Sequence, residues 1–200
     1  MTPLPRLYAI ADASFGNPVE ISRILFDNGV RFLQIRNKQA GTKELLEQVE
    51  AVLGFAPHDA QVLVNDRADI ARIARAAGVH LGQDDLPVEE ARAILGDHAI
   101  VGFSTHNLEQ ALLADELPID YLAIGPIFAT STKENPDPLV GLENLARICR
   151  TVHKPVVAIG GITMKRAAQV FNAGAASVAV ISDLLHDDIA NRTQRWLSLL

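Results

Sequence analysis

Charged residues recur directly after short apolar runs in this sequence, and their types are those that bind phosphate and a divalent cation. Arg36 and Lys38 follow the run Phe32-Leu33-Gln34-Ile35, and Asp66 and Asp85 follow two later runs. An arginine can donate to two phosphate oxygens at once, and a lysine supplies a movable positive charge. Two neighbouring carboxylates repel each other unless a cation lies between them, and Mg²⁺ is the usual cation where phosphate oxygens complete its coordination. The pattern predicts a diphosphate site with Mg²⁺ held by Asp66 and Asp85.

Each of these residues also has a plainer interpretation. Asp66 and Asp85 precede helical segments and could be helix N-caps, and a single surface lysine or arginine usually carries only a solvated charge. The interpretation as a phosphate and metal site depends on the recurrence of these charged residues at the same end of successive runs. Arginine and lysine at these positions are also notable because the net charge of the chain is -6. Asp12, which follows the first run, keeps the structural interpretation.

A second anion site is predicted after the last two apolar runs, which end in Gly160-Gly161 and in Ile181-Ser182. Glycine lets the main chain approach a ligand closely, and backbone N–H groups at a helix N-terminus bind phosphate. Ser104, at the end of a fifth run, is suited to donate to a phosphate oxygen, although a structural hydroxyl explains it almost as well. His80, inside a run, is expected to be a hydrogen-bonded core histidine. His106 follows a run and is a candidate catalytic group, although a non-catalytic role is favoured for it.

The elements that must position these residues alternate strictly along the chain. Eight short β-branched apolar runs are each followed by a segment of helical period, as in parallel strands covered by helices. In a (β/α)8 barrel the functional residues lie at the carboxyl ends of the strands, which is where the polar residues fall here. The sequence therefore predicts an α/β fold, a single (β/α)8 TIM barrel that occupies residues 1–200 as one domain. A doubly wound open sheet is the alternative, but no dinucleotide-binding glycine motif follows the first strand.

Composition excludes several classes of protein and partner. With 200 residues, 48% of them hydrophobic, the chain can bury a substantial core. The negative net charge gives no bulk attraction to nucleic acid or to an anionic membrane, and no apolar run reaches the length of a membrane span. The single cysteine, Cys149, is expected to be a buried structural thiol. We expect a cytoplasmic protein that binds small molecules, and a homo-oligomer is left open because an apolar outer helix face could pack against a second copy.

At the residues that carry this chemistry, the chain resembles the thiamine phosphate synthase family, from Leu7 to about Leu185. The matching stretches include Gln34-Ile35-Arg36-Asn37-Lys38, Asn65-Asp66-Arg67, Gly82-Gln83-Asp84-Asp85, Ser104-Thr105-His106, Gly125-Pro126-Ile127-Phe128, Thr130-Ser131-Thr132-Lys133, Gly160-Gly161-Ile162 and Val180-Ile181-Ser182. The departures are small: Ala11 stands where the family often has threonine, and Phe103 where a smaller residue is common.

The resemblance implies a transferase reaction. The pyrimidine substrate, 4-amino-2-methyl-5-(diphosphooxymethyl)pyrimidine, loses diphosphate, and the thiazole nitrogen of 4-methyl-5-(2-phosphooxyethyl)thiazole attacks the exposed methylene carbon to give thiamine phosphate. Departure of the diphosphate is expected to run ahead of attack, so the main demand is to stabilise charge on the leaving group, which Mg²⁺ and basic side chains supply. No strong general base is needed, because the attacking nitrogen carries no proton.

The resemblance also implies a role for each matching residue. Gln34 contacts the pyrimidine, while Asp66 and Asp85 ligate Mg²⁺. Arg36 and Lys38 contact the diphosphate, Asn65, Ser104 and Lys133 also hold the pyrimidine diphosphate, and Asn37 is a further substrate-binding residue. The residues that act in catalysis are Arg36, Lys38, Ser104 and Lys133. Thr130 and Thr132 face the thiazole, and its phosphate binds to the main chain at Gly161, Ile181 and Ser182.

Two other functions share this fold and remain as alternatives. A thiazole tautomerase would use a histidine, with His106 as its counterpart here. A non-catalytic sensor of a thiamine-related phosphate would be expected to lose the charged residues of the rim. This chain retains Arg36, Lys38, Asp66 and Asp85, which favours the synthase.

Overall fold

The eight apolar runs form eight parallel strands that close into a barrel, which confirms the predicted (β/α)8 fold. The structure is a computed structural model, and it describes residues 4–130, 137–186 and 188–200. Neighbours in the barrel follow chain order, and the first strand pairs with the last. The strands are β1 (Leu7–Asp12), β2 (Phe32–Arg36), β3 (Gln61–Asn65), β4 (Gly78–Leu81), β5 (Ile100–Thr105), β6 (Tyr121–Ile124), β7 (Val156–Ile159) and β8 (Ser177–Val180).

Helices connect the strands and cover the outside of the barrel. They are α1 (Pro18–Asp27), α2 (Thr42–Leu53), α3 (Ala68–Ala74), α4 (Val88–Leu95), α5 (Leu108–Asp115), α6 (Gly141–Thr151), α7 (Met164–Asn172), α8 (Ser182–Leu185) and α9 (Ile189–Leu199). Local capping fixes several of their starts: Asn17 accepts from the backbone N–H of Val19, with a proline at the first helical position, and Asn107 accepts from that of Gln110. In the described part of the chain, no helix combines the length and the apolar character needed to cross a membrane.

The core has two parts, because each strand carries residues on two faces. Residues that point outwards pack under the helices in one large apolar cluster. Residues that point inwards fill the barrel, and the largest of them are Tyr8, Phe32 and Tyr121, each no more than 1% exposed. These side chains fill the barrel interior beneath the cavity that opens at the carboxyl ends of the strands.

Strand register decides which polar residues meet at that end. Asp12 of β1 lies beside Arg36 of β2, and Asn65 of β3 lies beside His80 of β4. Since side chains alternate between the two faces of a strand, Gln34 and Arg36 point to the same side of β2. The register therefore brings polar residues of neighbouring strands together at the carboxyl end of the barrel.

Cys149 lies in α6 and is only partly buried, which differs from the expected fully buried thiol. Its side chain packs beside Gly174, in the turn that follows α7. Burial raises the pKa of the thiol to about 11, so that the group is protonated at neutral pH. This agrees with a structural role.

Candidate active site

A single cavity of about 450 Å³ opens at the carboxyl ends of the strands and collects most of the predicted site residues. Residues from opposite sides of the barrel, such as Asp85 after β4 and Ser182 after β8, line the same space. The predicted residues that line it are Gln34, Arg36, Lys38, Asn65, Asp66, Asp85, Ser104, Thr130, Gly161, Ile181 and Ser182. Thr132 and Lys133 lie outside the described residues.

The carboxylates of Asp66 and Asp85 lie close enough to interact. Lys38 Nζ is 3.1 Å from Asp66 Oδ2, and Asp85 Oδ2 accepts from the backbone N–H of Gly82 at 2.6 Å. Asp66 follows β3 with a φ of 64°, a conformation that aspartate tolerates better than most residues. The Asp66 carboxylate, in this turn after β3, lies beside that of Asp85.

Electrostatics at this pair favour a bound cation. Burial raises the pKa of the Asp85 carboxyl above its ordinary value, the Gly82 N–H opposes that rise, and the nearby Asp66 carboxylate adds to it. Within the described ranges, no group of three or more His, Cys, Asp or Glu side chains could hold a metal ion. Two carboxylates therefore fit a Mg²⁺ ion that takes its remaining oxygen ligands from substrate and water, and they do not fit a closed structural metal site.

Arg36 is held by a residue that the sequence did not mark as functional. Its guanidinium forms an ion pair with the carboxylate of Asp12, which is 2% exposed and also accepts from the backbone N–H and the hydroxyl of Ser14. Asp12 thus both caps the turn after β1 and orients the Arg36 guanidinium at the cavity wall. The register of β1 on β2 creates this pair, and no pattern within either strand would have indicated it.

Asn37 is the one described site residue that does not reach the cavity. Its side-chain oxygen accepts from the backbone N–H groups of Gln39 and Ala40, and its amide donates to Gln48 of α2. Asn37 lies between Arg36 and Lys38 and points to the opposite side, because side chains alternate along an extended segment. It holds the turn that carries Lys38.

The predicted monophosphate end is built by loops after β7 and β8. Gly161 has a φ of 62°, and a Cβ there would lie 2.5 Å from the carbonyl oxygen of Ala129. The carbonyl of Gly161 accepts from Arg166 at 2.8 Å, and the Arg166 guanidinium lies 4.5 Å from the centroid of the Phe128 ring. Ser182 is the first residue of α8. Main-chain groups thus form this side of the cavity, as expected for a phosphate site.

The floor of the cavity holds residues that sequence reasoning missed. His80 was expected in the core, but it lines the cavity and bonds to Ser104 Oγ at 2.9 Å through Nε2 and to Tyr121 OH at 2.9 Å through Nδ1. Tyr121 donates to Tyr8 OH at 3.0 Å. The only signal in the sequence was the presence of polar aromatic residues inside runs that are otherwise apolar, which is also how an ordinary core looks.

His106 lies at the rim and is tied to the loop after β6. Its Nδ1 is 2.7 Å from the carbonyl oxygen of Gly125 and 3.4 Å from Asp137 Oδ2. A carbonyl only accepts, so Nδ1 carries a proton. The backbone N–H of His106 donates to Gln110 Oε1 at 2.7 Å. These contacts give His106 a structural task in holding the loop.

Comparison with known proteins agrees with this geometry. A thiamine-phosphate synthase of Koribacter versatilis is 48% identical over 204 residues, which cover 98% of this chain and 96% of the relative. One from Anaeromyxobacter dehalogenans is 46% identical over 179 residues, covering 90% and 80%. The solved thiamine phosphate pyrophosphorylase of Pyrococcus furiosus superposes with a TM-score of 0.88 at 35% identity, covering 97% of this chain and 94% of that one. The profile of the thiamine monophosphate synthase family matches residues 7–184, and the chain belongs to that family.

Proposed function

We propose that this chain is a thiamine-phosphate synthase, a transferase that joins the pyrimidine diphosphate and the thiazole phosphate with release of diphosphate. The observation that carries the proposal is the arrangement of one cavity with two chemically different ends. One end holds Arg36, Lys38, Asp66 and Asp85, and the other is made by main chain around Gly161. A substrate pair with a diphosphate on one partner and a monophosphate on the other requires two such ends.

At the first end, Asp66 and Asp85 would hold Mg²⁺, which, when bound, neutralises charge on the departing diphosphate. Lys38, 3.1 Å from Asp66, stands where it can donate to the same phosphate oxygens. Arg36 is oriented by Asp12 and can donate with two N–H groups. The resemblance adds Lys133 to this group. Asn37 contributes by holding the turn between Arg36 and Lys38.

Near the reacting carbon, Gln34 would contact the pyrimidine ring, and Asn65 and Ser104 would hold the pyrimidine diphosphate, as the family resemblance implies. Thr130 and Thr132 would face the thiazole. The main chain at Gly161, Ile181 and Ser182 would bind the thiazole phosphate. With the buried Tyr8 and Tyr121 beneath the cavity, the bound substrates would limit access of bulk water to the methylene carbon, which would favour attack by the thiazole nitrogen over hydrolysis.

The alternatives are not favoured. The tautomerase has no use for a metal-binding carboxylate pair, yet Asp66 and Asp85 lie side by side with Lys38. A sensor needs no group to stabilise a leaving diphosphate. Three statements stay predictions from the sequence. They are that residues 1–200 form one domain, that the protein is cytoplasmic, and that it could be a homo-oligomer.

The test is diphosphate release from both substrates, with and without Mg²⁺. We expect release only when both substrates and Mg²⁺ are present. Asp66→Asn and Asp85→Asn should each lower turnover by about a hundredfold, the scale on which loss of one group that stabilises developing charge acts. Asp59→Asn is the matched control, because Asp59 is an exposed carboxylate in the loop before β3 and pairs with Arg31. Full activity in both cavity variants would refute the metal assignment, and binding of both substrates without turnover would refute the synthase.

A further inference from the structure

The turn after β7 is held against the loop after β6 by main-chain hydrogen bonds. The N–H of Ile127 donates to the carbonyl of Ile159 at 2.9 Å, and that of Phe128 donates to the carbonyl of Gly160 at 3.0 Å. Gly160 and Gly161 both have a positive φ, 97° and 62°, a conformation that glycine adopts without strain. The β6 loop therefore fixes the backbone of this turn from one side.

Arg166, in the first turn of α7, holds the next carbonyl of the same turn. Its guanidinium donates to the carbonyl oxygen of Gly161 at 2.8 Å and lies 4.5 Å from the centroid of the Phe128 ring. The side chain is exposed, but the hydrogen bond and the cation–π contact together restrict its position. Two successive carbonyls, those of Gly160 and Gly161, are thus each bonded to a fixed donor.

The N–H groups of the same two peptides point the other way. Both peptides are trans, and a trans peptide places its C=O and N–H on opposite sides. The Gly161 N–H therefore points away from Phe128, and the Ile162 N–H points away from Arg166.

These two N–H groups are available to a ligand in the cavity. Gly161 and Ile162 line the cavity, whereas Phe128 and Arg166 are not among its described lining residues. Neither N–H has a hydrogen-bond partner within the described part of the chain. Adjacent unbonded backbone N–H groups in a turn form a concave site that suits an anion.

We propose that Arg166 is a positioning residue for the phosphate end of the cavity, and that the Ile162 N–H is a phosphate donor beside the Gly161 N–H. Arg166 acts through the peptide between Gly161 and Ile162. It holds the carbonyl outwards, which keeps the N–H directed inwards, and its positive charge polarises the peptide and so strengthens the N–H as a donor. The inference rests on the proposed function for the identity of the ligand, the thiazole phosphate.

The geometry calls for an arginine and not only for a positive charge. A planar guanidinium can stack on an aromatic ring while it donates within its own plane. Lysine supplies a compact point charge that does not combine these two contacts in the same way. Arg166→Lys should therefore bind the thiazole phosphate less tightly than wild type, but more tightly than a variant without the charge.

The first test is a ¹H–¹⁵N NMR titration of the full chain with the thiazole phosphate alone. We expect the amide proton signals of Gly161 and Ile162 to move downfield together, because both N–H groups bond to anionic oxygens. In Arg166→Met the movement of the Ile162 signal should shrink more than that of Gly161, whose peptide is held by Phe128. An Ile162 signal that does not move on saturation, or an absence of binding, would overturn the proposal.

The second test compares dissociation constants for the thiazole phosphate and for the corresponding thiazole alcohol, which lacks the phosphate. Arg166→Met keeps an unbranched side chain that can pack on Phe128, but it removes the hydrogen bond and the charge. We expect Kd for the thiazole phosphate to rise by about tenfold, as for one weakened hydrogen bond to a charged group. Kd for the alcohol should not change. In steady-state kinetics KM for the thiazole phosphate should rise by the same factor, with kcat and KM for the pyrimidine diphosphate unchanged.

Lys165→Met is the matched control, because Lys165 is exposed, precedes Arg166 in the same turn of α7 and carries the same charge. It should leave both dissociation constants unchanged. An equal loss of affinity in Lys165→Met would show an effect of net charge alone and overturn the proposal. So would an unchanged Kd in Arg166→Met, or an equal rise for the phosphate and the alcohol, which is the result expected of a merely structural contact.

The binding measurements need no turnover, so the two proposals can fail separately. If diphosphate release were absent while Arg166→Met weakened the thiazole phosphate selectively, only the synthase activity would be refuted. If diphosphate release were normal while Arg166→Met bound the thiazole phosphate like wild type, only the role of Arg166 would be refuted.

Discussion

At the scale of single residues, the pairing of Arg36 with Asp12 decides how the site is organised for an anion. An unpaired arginine at the rim would sample many rotamers and lose that freedom on binding. Asp12 is 2% exposed, and the side chain of Arg36 is 19% exposed. The pair therefore fixes the guanidinium before the substrate arrives, which lowers the entropic cost of binding.

We expect Asp12→Asn to weaken substrate binding and stability together. Loss of the carboxylate leaves a largely buried guanidinium without its counter-charge, which costs about 3 kcal/mol of unfolding free energy. KM for the pyrimidine diphosphate should rise by about tenfold, as for loss of about 1.4 kcal/mol. Urea unfolding and steady-state kinetics measure the two effects.

Asp27→Asn is the control for this variant, because Asp27 is an exposed carboxylate at the end of α1. Asp27→Asn should change neither the unfolding free energy nor the KM for the pyrimidine diphosphate. A tighter KM in Asp12→Asn would mean that Asp12 competes with the substrate for Arg36, contrary to the positioning role given to it here.

At the scale of elements, the loops after β6 and β7 fit together because residue 161 has no side chain. We expect Gly161→Ala to raise KM for the thiazole phosphate and to lower the unfolding free energy by about 1–2 kcal/mol, the cost of a left-handed conformation for alanine. The added Cβ would lie 2.5 Å from the Ala129 carbonyl oxygen, so that one loop must move. Gly41→Ala is the matched control, since a Cβ at Gly41 meets nothing within 4 Å. Equal kinetics in the two variants would argue against a phosphate site at Gly161.

A second link between elements joins the end of α5 to the loop before β7. Asp115 accepts from the backbone N–H groups of His153 and Lys154 at 2.8–3.0 Å, and its side chain is 6% exposed. Burial alone would raise the pKa of Asp115, but these hydrogen bonds and that from the His153 ring outweigh it and lower the pKa below the ordinary 3.8.

The sign of this shift gives a pH dependence. Because the folded pKa is the lower one, the stabilisation from Asp115 is complete above pH 3.8 and is lost as the pH falls through the folded pKa. Asp115→Asn should therefore lower the unfolding free energy by about 1 kcal/mol at neutral pH. In acid-unfolding curves, the difference in unfolding free energy between Asp115→Asn and wild type should shrink as the pH falls below 3.8. A difference that does not depend on pH would show that the carboxylate charge is not involved.

At the scale of the whole molecule, the last helix holds the closing segment of the barrel in place. Trp196 of α9 is 0% exposed and donates to Asp183 Oδ2 at 2.9 Å, while Arg192 donates to Asp183 Oδ1 at 2.6 Å. Asp183 directly follows Ser182, which lines the cavity, so these contacts connect α9 to the cavity wall.

We expect Trp196→Ala to destabilise the whole barrel by about 3–5 kcal/mol, the usual cost of removing a buried aromatic side chain. KM for the thiazole phosphate should rise as well, because α8 loses its support. Chemical denaturation gives the first effect and kinetics the second. Leu199→Ala, at a position that is 51% exposed, should show neither. If Trp196→Ala lowered the stability but left the KM for the thiazole phosphate unchanged, α9 would have no role in supporting the site.

The sequence was sufficient to predict the architecture because the local pattern of apolar residues distinguishes strands from helices. A run such as Val156–Ile159 is apolar on both faces, and only a strand covered on both sides can bury it. Eight such runs with helices between them fit a closed barrel. The same logic placed Arg36, Lys38, Asp66 and Asp85 at one rim, since the carboxyl ends of parallel strands all meet there.

The directions of individual side chains were decided only by the tertiary structure. Asn37 turns away from the cavity, Asp12 proves to be the partner of Arg36, and His80 links Tyr121 to Ser104. Each of these contacts joins residues that are distant in sequence or depends on a turn whose backbone angles no pattern states. Register and strand tilt bring such groups within hydrogen-bond distance, and both are set by packing of the whole barrel. The sequence of a strand can therefore indicate which residues lie at the site, but it does not show which of them form hydrogen bonds with each other.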